Sequence, residues 1–298
     1  MSTPQAAAVE KPLPLEELIK KAAELNMMPQ VAKKVVELVS NESSTAAQLA
    51  ELLEKDPNIT TRILKISNSA FYGLRREVKT VQQAIVILGF KSLRSMVVAS
   101  SSKALHKRFG IAEQLMWDHS IGTAIGAKII SEGMPNAVGE VAFVGGLLHN
   151  VGKTVMNNES PKAYLEVMKK VYNDRVSPLQ AETEIFGYGH PQVGYMIAEK
   201  WGLPPELVNV IRYHHLNSLN DDEKKNLLSN QITKLSLSCV DLGNQICEHL
   251  GIGFREKNLK LDLLSTEGAK LLGATSEKMV VWLKKIQDAY SRERAIFN

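Results

Sequence analysis

Apolar residues in this chain recur at the spacing of a helix. Val31, Val35, Leu38 and Val39 fall at i, i+4, i+7 and i+8, and Leu49, Leu52 and Leu53 at i, i+3 and i+4. Each set therefore lies along one helical face. The punctuation agrees. Ser44 or Thr45 can cap the second of these helices. Asp56-Pro57 starts the next, with Asp as cap and Pro at the first helical position; it runs to about Ser67 and closes at "NSAFYG". Thr80 opens "TVQQAIVILG", and Gly89 is its stop. "AIVIL", Ala84 to Leu88, is the best strand candidate, but it is short and bracketed by a cap and a stop, so the helix is favoured. An apolar segment runs from Leu93 to Leu105. Further helices are expected at roughly 227–250 and 276–291, with a polar loop over 217–226 and "GIGFREKNLKLD" as a connection. No stretch alternates with period two and no repeat of fixed period is present, so the expected class is all-α. Residues 1–13, rich in Ala and Pro without periodicity, read as a disordered tail.

Composition narrows the setting more than the chemistry. The 298 residues are 44% hydrophobic and 23% charged, enough to bury a sizeable core. A formal charge of +4 is mild and gives no reason to expect nucleic acid or an anionic membrane as partner. No run approaches the roughly 18 apolar residues of a membrane span, and the start lacks the apolar core of a signal peptide. Cys239 and Cys247 lie eight apart in one expected helix, too far along it to pair, and two reduced thiols suit the cytoplasm.

The chemistry rests with the seven histidines, six of which follow Lys107. His106 and His249 read as helix-end residues. The other five behave as a set. His119 follows Leu115 and faces Gly122 and Gly126. His149 follows Ala142, Gly145 and Gly146, whose small size lets another helix approach. His190 heads the face of Val193, Ile197 and Trp201, and His214 continues that of Leu207, Val210 and Ile211; His215 adds a second imidazole beside it. Asp241 lies in the otherwise apolar "LSCVDLG". Inward imidazoles and a buried carboxylate are costly unless they pair or share an ion. Helical cores build metal sites from such ligands, which suit Zn, Mn, Fe or Ni. Trp117 and Trp201 read as core aromatics, and Arg75-Arg76 as a solvated turn.

His119, then His149-Asn150, then Asp241 resemble the ordered His, His-Asp, Asp pattern of the HD superfamily of metal-dependent phosphohydrolases. "LLHNVGK" is similar to its His-Asp-Ile-Gly-Lys stretch, with Asn150 in place of the aspartate. "MPQVAKKVVELV", "LLEKDPNITTRILKISNSAFYG", "VQQAIVILGFKSLRSMVVAS", "FVGGLLHNVGK" and "HPQVGYMIAEKWGLPPELVNVIRYHH" resemble the HDOD branch over about residues 20–215. The resemblance implies a tail over 1–13, an N-terminal helical subdomain over 14–108, an HD-like helical core over 109–250 and a helical extension over 251–298. It also implies a bacterial signalling module that binds other proteins and is not catalytic. Its metal ligands would be His119, His149, Asn150, His190, His214, His215 and Asp241, holding one or two ions. Lys153 occupies a position that contacts phosphate in the family pattern, which keeps open a nucleotide or phosphate ligand. The alternative is a phosphohydrolase acting on a nucleotide or phosphodiester. The Gly-Tyr-Pro signature of the related cyclic-dinucleotide phosphodiesterases is missing after His214-His215; "GYG" at 187–189 precedes the pair.

Asparagine at 150 bears directly on that alternative. An aspartate there is charged and can bridge two metals that position an attacking hydroxide. The amide is neutral and a weaker ligand, so the expected loss is in chemistry rather than folding.

Overall fold

Thr80 and Gly89 bracket a helix in the computed structural model of the chain, which describes residues 12–24, 30–40, 44–68, 77–107 and 110–297. The Thr80 hydroxyl accepts the Gln83 N–H at 3.2 Å, and Gly89 turns the chain out at a φ of 81°. Thr45 does the same two helices earlier, in a reciprocal box with Gln48. The helices run α1 (Leu15–Glu24), α2 (Gln30–Ser40), α3 (Ala46–Glu54), α4 (Pro57–Ser67), α5 (Val81–Leu88), α6 (Phe90–Ser101), α7 (Ile111–Ile130), α8 (Asn136–Leu148) and α9 (Val151–Glu159). They continue as α10 (Pro161–Asn173), α11 (Pro178–Phe186), α12 (His190–Lys200), α13 (Pro205–Tyr213), α14 (Asp221–Leu227), α15 (Gln231–Leu250), α16 (Glu267–Leu271) and α17 (Ser276–Phe297). The described residues contain no strand. The protein is all-α, as its periodicity implied, and no described helix is long and apolar enough to cross a membrane.

Three local expectations change. The polar stretch over 217–226 is not a loop throughout: Asn220 and Glu223 form a capping box that starts α14. The last helix extends past Ser291 to Phe297, because Phe297 packs into the core, 3% exposed. Of the expected tail, residues 1–11 lie outside the described residues, but Leu13 is tied down. Its carbonyl accepts the Tyr188 hydroxyl at 2.6 Å. The Val39 side chain and residues 69–76, with Arg75 and Arg76, also lie outside the described residues.

Two buried clusters organise the chain. The larger runs through α2–α8 and α13–α17 and holds Trp117. The smaller gathers Leu18 and Ile19 of α1 with Val155, Met156, Tyr164, Val167 and Phe186 from α9–α11, and with Val193 and Ile197 of α12. Burying Leu18 and Ile19 contributes roughly 1.5–3 kcal/mol each relative to exposure, and this docks α1 on α9 and α12. His149 and Asn150 form the joint between α8 and α9, where the clusters meet. Close approach sets that joint. A Cβ on Gly146 would lie 2.7 Å from Ala124 Cα, so α8 and α7 meet backbone to backbone there.

Candidate metal centre

His149 closes α8 with its ring fully buried, and its Nδ1–H donates to the Gly146 carbonyl at 2.7 Å. His214 closes α13 in the same way, with Nδ1–H to the Ile211 carbonyl at 2.9 Å. His190 opens α12, and its Nδ1–H donates to the carboxylate of Glu182 at 2.6 Å. Burial, the leading cause, holds all three imidazoles well below their ordinary pKa, so they are neutral. With each proton fixed on Nδ1, each Nε2 carries a lone pair.

Those lone pairs converge. His190 Nε2 lies 3.1 Å from His214 Nε2 and 3.2 Å from His215 Nε2. Ring nitrogens of all three lie within 4.8 Å of one another, and among the described residues they are the cluster able to hold a metal ion. A proton on His215 Nε2 can satisfy His190 but leaves His214 facing a lone pair. A cation satisfies all three. Two nitrogens about 2.0–2.1 Å from a zinc ion sit about 3.3 Å apart at the tetrahedral angle, close to the separations here. The trio fits a transition metal, and His149 lies next to it, its ring 4.9 Å from that of His214 and its Nε2 buried without a partner.

Glu182 is the residue that sequence reading missed. It is fully buried on α11, and its carboxylate accepts the Tyr164 hydroxyl at 3.1 Å and both the backbone and ring N–H of His190. It thereby fixes the tautomer that exposes His190 Nε2, a role carboxylates commonly take behind ligating histidines. Burial pushes its carboxyl up, and the Lys153 charge and the His190 N–H pull the other way. The signal in the sequence is faint: Glu182 lies four residues before the buried Phe186, on the same helical face.

His119 stands differently. Its Nδ1 lies 3.2 Å from the Ile252 carbonyl oxygen, and its Nε2 lies 2.7 Å from Asn244 Oδ1. Burial and the nearby Lys153 charge lower its pKa to about 4, so the ring is neutral and has one N–H to give between these two oxygens. Either Nε2–H donates to Asn244 Oδ1, or Nδ1–H donates to the carbonyl and the turned-over Asn244 amide donates to Nε2; in both cases Nε2 is engaged. Asn244 thus engages the ring nitrogen that His119 could offer a metal.

Asp241 stands apart from the imidazoles. Its two oxygens accept the backbone N–H groups of Leu216, at 3.3 Å, and Gly268, at 3.0 Å. Burial pushes its carboxyl up to about 6, against those two hydrogen bonds. It ties the segment after His215 and the start of α16 to α15, and Asn244, one turn later, is the α15 residue that reaches His119. Asp241 is expected in one ligand set with His119 and His149; both its oxygens accept backbone N–H groups, and the cluster able to hold an ion does not include it. Asn150 lies at the site, 5% exposed, with Oδ1 buried and unpartnered. Lys153 is half-buried one turn beyond His149, and its charge lowers the pKa of His119, His149, His190 and His215.

Gly152 fixes the distance between this joint and α12. A Cβ there would strike the His190 carbonyl oxygen and lie 2.9 Å from Gly194 N. Gly152→Ala should therefore push α9 off α12, lower stability by about 2–4 kcal/mol in urea unfolding and weaken metal binding at His190. An unchanged urea midpoint would show that the two helices can part at no cost.

The HDOD domain family matches residues 25–217. An uncharacterized protein of Treponema pallidum is 24% identical over 216 residues, 70% of this chain and 41% of that protein. The uncharacterized protein YuxH of Bacillus subtilis is 30% identical over 70 residues, 24% of this chain and 17% of that one. The chain thus spans less than half the length of these curated relatives. Among solved structures, an HDOD domain protein of unknown function from Geobacter sulfurreducens is 23% identical, with a TM-score of 0.66, covering 95% of this chain and 98% of that one. A candidate phosphohydrolase from Shewanella amazonensis is 24% identical, with a TM-score of 0.58, over 94% and 91%. A candidate signal transduction protein from Marinobacter aquaeolei is 19% identical, with a TM-score of 0.62, over 97% and 61%. These likenesses concern the fold.

Proposed function

As this chain belongs to the HDOD family, we propose that it is a bacterial signalling module that acts by binding other proteins rather than by hydrolysis. We further infer that His190, His214 and His215 hold a single divalent transition metal ion, which would brace α12 against the end of α13. A cytoplasmic setting suits its two free, buried thiols. The observation that carries the non-catalytic reading is the pair of amides at His119 and His149. Two-metal hydrolysis needs charged, bridging carboxylates to bring two cations together and generate hydroxide. Asn150 is neutral, and Asn244 already occupies His119 Nε2. A bound ion would supply Lewis acidity, but among the described residues no carboxylate joins His119 and His149 in a group able to hold a second one.

The competing reading, a phosphohydrolase acting on a nucleotide or phosphodiester, is favoured by one observation: His149 Nε2 is buried, unpartnered and next to the trio. Elemental analysis and a hydrolysis screen separate the two. The purified protein should carry a single first-row metal ion per chain, retained in Asn150→Ala and lost in His190→Ala. It should turn over neither nucleotides nor phosphodiesters in added Mn. Turnover by the unaltered chain, abolished by His149→Ala, would establish the hydrolase. A double Asn150→Asp, Asn244→Asp variant that gains a second ion would show that the site lacks only its carboxylates.

A further inference from the structure

Lys153 has a cation's charge and no partner for it. Its ammonium makes no ion pair or hydrogen bond with the described residues. The two carboxylates whose fields reach it are engaged elsewhere. Glu182 is held by Tyr164 and His190, and Glu248 accepts the Asn258 amide at 2.7 Å. Burial lowers the Lys153 pKa, the expected response of a charge removed from water without compensation.

Lys153 opens onto a cavity of about 80 Å³ between α7, α10 and the turn at 251–254. Most of its wall is apolar: Leu115, Met116, Val167, Met168 and Phe254. Its polar part consists of Lys153, Asn150, His119 and two tyrosines. Two of these are spoken for, since His119 Nε2 faces Asn244 and the Tyr164 hydroxyl donates to Glu182. Asn150, in contrast, is 5% exposed and its side-chain oxygen has no partner. Asn150 lines the chamber, and its amide can supply an N–H donor there. The cavity therefore joins an unpaired ammonium and a free amide to an apolar chamber. Tyr172, also in the wall, carries the Arg255 guanidinium over its ring at 4.3 Å, a second positive charge that favours the approach of an anion.

Size and charge narrow the ligand. A cavity of about 150 Å³ holds a benzene, and drug-sized ligands take about 300 Å³ or more, so this chamber is too small for a nucleotide. A phosphate dianion requires several charged donors, and here one ammonium faces the chamber with an amide beside it. Two donors match the two oxygens of a carboxylate, and the apolar wall matches an alkyl chain. We propose that this cavity binds a short aliphatic monocarboxylate of about two to three carbons. Its carboxylate pairs with Lys153 and accepts from the Asn150 amide, and its chain lies against Met116, Met168 and Phe254. This makes the module responsive to a small metabolite. It goes beyond the protein-binding role and does not depend on the histidine trio holding a metal.

Propanoate and its neutral isostere propanamide test the assignment in NMR titrations of the full chain. Propanoate should saturate with a dissociation constant of about 1 mM or tighter, shifting resonances of α7, α10 and residues 251–254, and propanamide should bind at least ten-fold more weakly. Lys153→Met should weaken propanoate at least ten-fold and leave propanamide unchanged. Treatment with EDTA should leave propanoate binding intact, which separates this site from a carboxylate ligating a metal. The proposal is overturned if propanoate does not saturate, if propanamide binds equally well, if EDTA abolishes binding, or if inorganic phosphate binds more tightly than propanoate. The comparison of propanoate with propanamide needs no variant, so a Lys153→Met protein that fails to fold does not remove the test.

Discussion

Glu182→Ala should lower the stability of the chain by roughly 3–5 kcal/mol and weaken transition-metal binding by about 10–100-fold. The carboxylate is fully buried and accepts three hydrogen bonds, from the Tyr164 hydroxyl and from the backbone and ring N–H groups of His190. Alanine leaves all three donors unsatisfied in the core, and each unsatisfied buried group costs about 1–3 kcal/mol. The metal effect has a separate origin. Without the carboxylate, His190 is free to change tautomer or rotate, and its Nε2 lone pair no longer points at His214 and His215. Glu182→Gln divides the two effects. It keeps one oxygen for Tyr164 but sets an amide N–H against the His190 donors, so it should fold more stably than the alanine variant and still bind metal poorly. Urea unfolding with metal titration by calorimetry reads both quantities. A Glu182→Ala protein within 1 kcal/mol of the unaltered chain, with unchanged metal affinity, would mean that His190 is oriented by its helix alone.

The metal-free protein should lose stability steeply as the pH falls from about 6.5 towards 4. His119 is held at about 4 in the fold, against 6.5 for an unconstrained imidazole. Between those values the unfolded chain binds a proton that the native ring refuses, so stability falls with each unit of acidification. For His119 alone the loss is about 3 kcal/mol by pH 4. His149, His190 and His214 shift in the same direction. Asp241 opposes them: raised to about 6 from 3.8, it keeps a proton in the fold that the unfolded chain has released, so its contribution grows as the pH drops through that window. Glu182 acts with the same sign as Asp241. His215, also held at about 4, and His106 add to the depressed imidazoles and Glu293 to the raised carboxyls; the imidazoles outweigh the carboxyls, and the net slope is positive with pH. Urea midpoints measured from pH 4 to 7.5 in EDTA test this, and a flat profile would show that the imidazoles are hydrated rather than buried.

Much of this molecule is legible without coordinates, because its signals are local. The Thr45 and Thr80 caps, the Gly89 stop and the helical character of "AIVIL" depend on residues within one turn of each other. The convergence of His190, His214 and His215 was also within reach, since His190 and His214 continue the apolar faces of two helices, His215 follows His214 directly, and buried imidazoles must find partners. Gly145 and Gly146 pointed to the close approach that brings His149 into the centre.

Asp241 and Asn244 show where that reading stops. Both are polar, both lie on α15, and they are three residues apart, so either could face inward. Which one meets His119 depends on how α15 is rotated against α7, and that rotation is set by side-chain packing along both helices rather than by either sequence. The same holds for Glu182, which reaches His190 only because α11 folds back beside the start of α12. Sequence alone determined the helices, their caps and which histidines turn inward, because periodicity and capping act within a few residues. Tertiary structure alone decided that Asn244 rather than Asp241 meets His119, that Glu182 orients His190, and that Lys153 is left unpaired beside a cavity. Hydrogen bonds between helices depend on rotations and separations that no short-range pattern records.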